Sequence, residues 1–189
     1  GLVKMFDFDL EKNIPTLYST ALLVFSSTLL FFIASAHKKI KQPNVLWFVL
    51  STIFLFLAVD ETSSMHERLL KPTRNLFDTS GLLYYAWVIP YSIGLIVLVA
   101  VYSNFLHSLP KRIKWLFITS GSVFVFGAIG FEMLCGWQAE MSGKNTPLYI
   151  LFYTCEELLE MTGVVIFIYT LLSYIVNELG YSRVELPNG

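Results

Sequence analysis

The sequence predicts an all-α membrane protein, a polytopic helical bundle with about five transmembrane helices. The first observation is composition, since 55% of the 189 residues are apolar and only 14% are charged, too apolar for an ordinary soluble domain. The second is that the apolar residues form long blocks separated by short polar loops, the pattern of helices that cross a bilayer. The net charge of −1, without a basic stripe, argues against nucleic acid as a partner. The expected partner is therefore the lipid bilayer.

The chain divides into three regions. We expect an N-terminal interfacial segment, a transmembrane helical bundle and a short C-terminal tail, at residues 1–14, 15–177 and 178–189. The first region alternates apolar and acidic side chains, which suits a segment that lies on the membrane surface. Within the bundle the apolar blocks predict five spans, at about Thr16–Ala36, Asn44–Leu70, Leu82–Leu109, Trp115–Ala139 and Leu148–Val176.

Glycine and proline predict the connections and the shape of two spans. Lys71–Gly81 is predicted to be a loop, with Pro72 near its start. Pro90 and Gly94 interrupt the third span and predict a kink near Tyr91. Small residues let neighbouring helices approach closely, and the fourth span contains four glycines, Gly121, Gly127, Gly130 and Gly136.

Basic residues predict the orientation in the membrane. His37–Lys41 follows the first span and Lys111–Lys114 follows the third, so these two clusters lie on the same side. The positive-inside rule places that side in the cytoplasm, which puts the N-terminus outside and the C-terminus inside, in the cell inner membrane. Three basic residues on the other side weaken this bias: Arg68, Lys71 and Arg74.

Carboxylates occur at the same depth in three spans. Asp60 follows Val45–Val59, an apolar run that is about 22 Å long as a helix, whereas the hydrocarbon core is about 30 Å thick. By the same count, Glu132 lies about 26 Å and Glu160 about 24 Å from the inner edge. Acidic groups at membrane depth are costly and usually face a polar interior or a cavity. The sequence therefore predicts an intramembrane polar site in the outer third of the bilayer.

A helical wheel selects the side chains that face this site. On the second helix Asp60 and Glu67 differ by about 20°, and His66 lies on the flank of the same face. Glu61 points away from that face and is the weakest candidate. The candidate ligands and acid/base groups are Asp60, His66, Glu67, Glu132, Glu156, Glu157 and Glu160.

A divalent metal ion is the expected cofactor. So many carboxylates in low dielectric must hold protons or be neutralised by a cation, and the nearest basic residue, Arg68, lies at the outer edge. His37 and His107 fall at inner helix ends, so His66 is the one histidine that can reach the site. Oxygen-rich ligation with one imidazole favours Mn, Fe or Ca, with Zn ranked lower.

Two cysteines lie beside the predicted ligands. Cys135 is one turn beyond Glu132, and Cys155 directly precedes Glu156. We interpret them as two buried, inert thiols, and the alternative is a disulfide or a pair of soft metal ligands. Ser63 or Ser64 with His66 is a weak candidate for a hydrolase dyad, because near neighbours on one helix rarely face each other.

The acidic motifs carry two resemblances. The patterns Asp-Glu-x-x-Ser-x-His-Glu at Asp60–Glu67 and Glu-Glu-x-x-Glu-Met-x-Gly at Glu156–Gly163 resemble a family of small, uncharacterised bacterial membrane proteins, over most of the chain from Asn13. This resemblance implies no activity. In ligand chemistry the set also resembles the ferritin-like di-iron and di-manganese carboxylate bundles, but the chain lacks their Glu-x-x-His pattern.

Two functions fit these observations. The leading hypothesis is a metal-dependent membrane enzyme that acts on a lipid or small apolar substrate. The alternative is a cation or proton transporter or channel that uses the same acids as a relay. The expected partners are the bilayer, such a substrate and, if the bundle oligomerises, further copies of the chain.

Overall fold

A computed structural model of the chain describes residues 13–180. Within that part of the chain all regular structure is helical. Its α-helices are α1 (Ile14–Lys39), α2 (Val45–Ser63), α3 (Met65–Phe77), α4 (Val88–Ser108), α5 (Lys111–Val125), α6 (Glu132–Ser142) and α7 (Pro147–Tyr174). A 3₁₀ turn lies at Gly81–Leu83, and π-helical segments lie at Phe126–Phe131 and Ile175–Leu179. The predicted interfacial segment and C-terminal tail fall almost entirely outside the described residues.

The predicted number of five spans is confirmed. Five segments are long and apolar enough to cross a membrane: Ile14–Lys39, Val45–Ser63, Val88–Ser108, Lys111–Ser142 and Pro147–Leu179. The fourth combines α5, the first π segment and α6 into one continuous span, and the fifth extends α7 through the second π segment. The protein is therefore a multi-pass helical membrane protein, whose orientation remains a prediction.

Local sequence explains where the two longest helices begin. Asn13 Oδ1 accepts a hydrogen bond from the Thr16 backbone N–H at 3.0 Å, and Pro15 occupies the first turn of α1. The Thr146 side chain similarly accepts from the Tyr149 N–H at 3.2 Å at the start of α7. Each such cap contributes about 1 kcal/mol by satisfying a donor that the helix leaves unpaired.

The core at the far end of the bundle from Asp60 is aromatic and apolar. Trp47, near the start of α2, is buried against Phe105, Phe117 and Tyr174. His37 belongs to this region, since its Nε2 lies 2.9 Å from the Tyr174 hydroxyl. The prediction that His37 stays away from the acidic site is thus confirmed.

The second span is not one continuous helix from Asn44 to Leu70, so that prediction is wrong. Ser64 adopts the left-handed conformation (φ 52°, ψ 44°) and separates α2 from α3. The break is stabilised locally, because the Asp60 carboxylate accepts the His66 backbone N–H at 2.8 Å. Asp60 thereby satisfies a donor at the start of α3 that has no partner within the helix.

The predicted loop from Lys71 is also wrong over most of its length. Helix α3 continues through Pro72 to Phe77 and ends at Asp78, which is left-handed (φ 47°) and whose N–H bonds to the Arg74 carbonyl at 2.8 Å. A left-handed residue at this position is a common helix terminator. The chain therefore stops the helix at Asp78, although a proline inside a helix removes one backbone bond.

The predicted kink near Tyr91 is not supported. Helix α4 begins at Val88, so Pro90 lies in its first turn. A backbone N–H in the first turn has no partner within the helix, and a proline there removes no helical hydrogen bond. Pro90 therefore gives no reason for a kink at Tyr91, and the chain before Val88 forms a buried turn, Tyr85–Trp87.

Candidate metal centre

Two glycines bring the fourth span into backbone contact with α7. A Cβ atom added to Gly127 would lie 2.9 Å from the Glu156 carbonyl oxygen and 3.1 Å from the Glu160 nitrogen. One added to Gly163 would lie 2.7 Å from the Phe124 nitrogen. Distances this short leave no room for a side chain, so glycine permits the close packing that the small-residue pattern predicts.

The π-helical segment Phe126–Phe131 contains Gly127 and ends directly before Glu132. A π segment inserts an extra residue into a helical turn and rotates everything that follows it, and such segments are frequent at functional sites. Glu132 is consequently turned relative to the face that an unbroken α-helix would give it. The insertion directs its carboxylate toward α7.

Three potential ligand atoms meet at this contact. One atom each from Glu132, Cys135 and Glu156 lies within 4.8 Å of the others. Cys135 Sγ donates to Glu156 Oε2 at 3.4 Å, and the thiol is almost fully buried, with 1% of the residue exposed. We call Glu132, Cys135 and Glu156 the acidic–thiol cluster. Two carboxylates and a thiol at these distances could converge on one metal ion.

Trp87 holds one side of this cluster. Its indole Nε1 donates to Glu132 Oε1 at 2.8 Å, and the residue is buried in the turn before α4. An indole N–H can only donate, so it fixes one carboxylate oxygen of Glu132. The arrangement resembles the outer hydrogen bonds that orient metal-binding carboxylates.

A second polar group surrounds Asp60, which is buried with 5% exposed. Asp60 Oδ2 accepts the Tyr91 hydroxyl at 2.8 Å and lies 3.3 Å from His66 Nδ1. Because a carboxylate only accepts, Nδ1 carries the proton in this contact and the other ring nitrogen of His66 is left with its lone pair when the ring is neutral. The His66 side chain is 22% exposed, so this nitrogen lies near the edge of the site.

The two groups are joined through Trp87. The His66 ring centroid lies 4.8 Å from the Trp87 ring centroid, and the Tyr91 centroid lies 5.0 Å from it on an edge-to-face contact. The same indole donates to Glu132. The structure therefore places the Asp60–His66 pair beside the acidic–thiol cluster, with one tryptophan between them.

Glu160 lies on a different wall, one turn along α7 from Glu156. It lines a small cavity together with Glu61 and Ser19. Glu61, which the helical wheel places off the Asp60 face, lies on the side of α2 that is turned toward α1 and α7. Glu61 and Glu160 line the same cavity, although 99 positions separate them along the chain.

The remaining predicted residues lie elsewhere. Glu67 is exposed in the first turn of α3, and the break at Ser64 removes the wheel relationship that placed it with Asp60. Glu157 is half-buried on α7 and is not one of the three residues of the acidic–thiol cluster.

Sequence reasoning missed Trp87 and Tyr91 and gave Cys135 a minor role. Cys135 and Cys155 form no disulfide, so the disulfide alternative does not apply. The position of Cys135 three residues after Glu132 was the available signal, since that spacing shares a helix face. Trp87 and Tyr91 gave no such signal, because aromatic residues are common throughout every span.

The rim of the site carries a cation that the sequence argument did not consider. Lys144 Nζ lies 5.4 Å from the Tyr85 ring centroid and 5.9 Å from that of Tyr149. The two tyrosine hydroxyls lie 3.2 Å apart. Burial raises the pKa of Tyr85, so its hydroxyl stays protonated at neutral pH.

Comparisons with known proteins identify the family. No curated protein and no solved structure matches the chain. The matching family model carries the description "Domain of unknown function (DUF8692)" and covers residues 1–175 of the 189, including every residue of the site. The expectation of an uncharacterised family is confirmed at this level, and its bacterial origin and motif remain predictions. The chain belongs to the family of the domain of unknown function DUF8692.

Proposed function

We propose that this membrane protein is an enzyme that uses one divalent metal ion, bound by Glu132, Cys135 and Glu156, to act on a lipid or small apolar substrate. The observation that carries the proposal is the convergence of three potential ligand atoms within 4.8 Å, from two packed helices. Buried carboxylates in apolar surroundings are costly unless they are paired or coordinate a metal.

The donor set indicates which ions to test. Cysteine thiolate is a soft ligand that suits Zn or Fe, whereas Ca and Mg prefer oxygen alone. With Cys135 in the donor set, zinc becomes a stronger candidate and calcium a weaker one than the carboxylates alone would indicate. Three protein ligands also leave a fourth tetrahedral position for water or substrate, which is the ligand number of catalytic zinc sites.

The Asp60–His66 pair supplies a general base in this proposal. Asp60 orients the imidazole through Nδ1, and the other ring nitrogen accepts a proton from a water molecule. Tyr91 donates to the same carboxylate and fixes its rotamer. A carboxylate that holds a histidine in one tautomer and orientation is a recurring device in hydrolytic enzymes.

The surroundings of His66 support an apolar substrate. His66 lies in the first turns of α3, a helix with no buried residues that follows a membrane span directly. Exposed apolar side chains such as Leu69, Leu76 and Phe77 lie on this helix. An amphipathic helix of this kind lies at a membrane surface. Lipids and small apolar molecules dissolved in the membrane can therefore approach His66 from the bilayer.

Transport is the second candidate function, and one observation favours it. Glu160 lies one turn beyond Glu156 on α7, and it lines a cavity together with Glu61 of α2. A series of carboxylates inside a membrane bundle is typical of proton and cation pathways. In this alternative the same acids pass a cation or proton between α7 and α2.

Metal content per chain tests the enzyme proposal. Full-length protein is purified in detergent without chelator, incubated separately with Zn, Fe, Mn or Ca, and analysed for bound metal. We expect one zinc or iron ion per chain in the wild type and loss of that ion in Glu132→Gln, Cys135→Ser and Glu156→Gln. The matched control is Glu67→Gln, which changes an exposed glutamate and should retain the metal.

Two outcomes contradict the proposal. Wild-type protein that holds neither Zn, Fe nor Mn at stoichiometric level has no metal centre at the acidic–thiol cluster. Uptake of a cation or proton into liposomes along a gradient, abolished in Glu160→Gln and retained in Cys135→Ser, establishes the transport alternative.

A further inference from the structure

A second polar cavity lies between α1, α2 and α7, away from the acidic–thiol cluster. Ser19, Glu61 and Glu160 supply its polar lining, and five apolar side chains complete its wall. The volume available to the centre of a water molecule is about 10 Å³. That is the room of about a single water molecule or ion, so no organic substrate fits.

The Ser19 hydroxyl is the polar group whose burial indicates a bound ligand in this cavity. Only 7% of it is exposed, and its hydroxyl oxygen has no hydrogen-bond partner among the described residues. A buried hydroxyl without a partner costs free energy, and serine in a helix usually bonds back to the carbonyl one turn earlier. Thr28 and Thr170 do so in this protein at 2.9 and 2.7 Å.

We propose that Ser19, Glu61 and Glu160 form a second binding site, which takes one hard divalent cation such as Ca²⁺ or Mg²⁺. Its donors are a hydroxyl and two carboxylates, all oxygen, whereas the acidic–thiol cluster includes sulfur. Oxygen-only sets select Ca²⁺ and Mg²⁺ over the transition metals that thiolate prefers. A divalent charge also balances the two carboxylates in their apolar surroundings.

The three residues of this site come from three different membrane spans. Ser19 lies on α1, Glu61 near the end of α2 and Glu160 in the middle of α7. One ion bound by all three ties three spans together at the depth of Asp60. The proposal does not depend on the enzyme function, because it shares no ligand with the acidic–thiol cluster.

Calorimetric titration of full-length protein in detergent tests the site. The protein is freed of metal with chelator, dialysed and titrated separately with CaCl₂ and MgCl₂. We expect one saturable site for at least one of the two ions and a higher unfolding temperature when it is filled, because the ion binds the folded state. Ser19→Ala should weaken affinity about tenfold, since it removes one neutral donor to a charged ligand.

Two variants make the experiment discriminating. Ser26→Ala is the matched control, since Ser26 is a fully buried serine of α1 that also lacks a hydrogen-bond partner among the described residues but does not line the cavity. It should leave Ca²⁺ and Mg²⁺ binding unchanged. Cys135→Ser should likewise leave this binding unchanged while it removes zinc, so the two metal proposals fail independently.

Several results overturn the inference. Absence of saturable binding of both ions means that the cavity holds water or that its acids are protonated. Equal effects of Ser19→Ala and Ser26→Ala mean that any observed binding occurs elsewhere. Glu61→Gln gives a further check, because loss of one carboxylate ligand should weaken affinity more than loss of the serine hydroxyl.

Discussion

A Cβ atom on Gly127 would lie 2.9 Å from the backbone carbonyl oxygen of Glu156. The neighbour is backbone, so it cannot rotate away as a flexible side chain could. This contact fixes the separation between the π-helical segment and α7, and hence the distance between the carboxylates of Glu132 and Glu156. The geometry of the candidate metal centre thus depends on the absence of a side chain at residue 127.

Gly127→Ala should separate the two helices. The methyl group must displace the α7 backbone, and overpacking of this kind costs about 1–3 kcal/mol. We expect a lower unfolding temperature and a lower zinc content per chain. Gly121→Ala is the control, because a Cβ there meets nothing within 4 Å and alanine favours a helix by about 0.5–1 kcal/mol over glycine. Equal losses in both variants would argue against this role of Gly127.

The break at Ser64 leads to a second prediction. A serine in the left-handed conformation carries a steric cost of about 1–2 kcal/mol, which glycine does not have. Ser64→Gly should therefore raise the free energy of unfolding, and Ser64→Val should lower it because a β-branched residue is worse in this conformation. Thermal unfolding of the three proteins checks the order. In an unbroken helix Ser64→Gly would instead destabilise the protein.

Hydropathy predicts the spans of this protein well because the bilayer imposes their length and their composition. The depth of Asp60, Glu132 and Glu160 follows from the same count, and the structure brings Glu132 to Glu156 and Glu160 to Glu61. Each of these acids interrupts an apolar run, so each is visible in the sequence without knowledge of the packing.

Other features depend on contacts that one chain segment does not reveal. The break after α2 arises from a hydrogen bond between the Asp60 side chain and the His66 backbone, which hydrophobic periodicity does not report. The rotation of Glu132 arises from the π-helical segment, which accompanies the packing of Gly127 against α7. A regular helical wheel assumes that neither irregularity exists, and it therefore placed Glu67, which lies beyond the break, on the face of Asp60.

The orientation of the bundle gives a third prediction. A cysteine introduced at Lys111 should be shielded from a membrane-impermeant thiol reagent in intact cells, because the positive-inside rule predicts that the basic cluster at the start of α5 faces the cytoplasm. A cysteine at Asn145, an exposed residue between α6 and α7, should be labelled. Labelling is measured against the parent chain, whose own cysteines are buried or half-buried. The reverse pattern would place the acidic site at the cytoplasmic face.

The last prediction concerns Trp87, which touches both polar groups of the site. Trp87→Phe keeps an aromatic ring beside His66 but removes the N–H that donates to Glu132 at 2.8 Å. Loss of such an orienting hydrogen bond typically lowers metal affinity by about 10–100-fold. We therefore expect the zinc dissociation constant, measured by competition with a chromophoric chelator, to rise by at least about tenfold.

Packing must be separated from hydrogen bonding in this test, because phenylalanine is smaller than tryptophan and leaves a gap. Val88→Ala provides the comparison, since Val88 is the adjacent buried residue and its truncation removes volume without removing a donor. Trp137→Phe, at a tryptophan that is 39% exposed, controls for tryptophan replacement itself. Both controls should bind zinc as the wild type does. If Val88→Ala weakens zinc binding as much as Trp87→Phe, the tryptophan acts by filling space, and Glu132 is positioned by the helix packing at Gly127 alone.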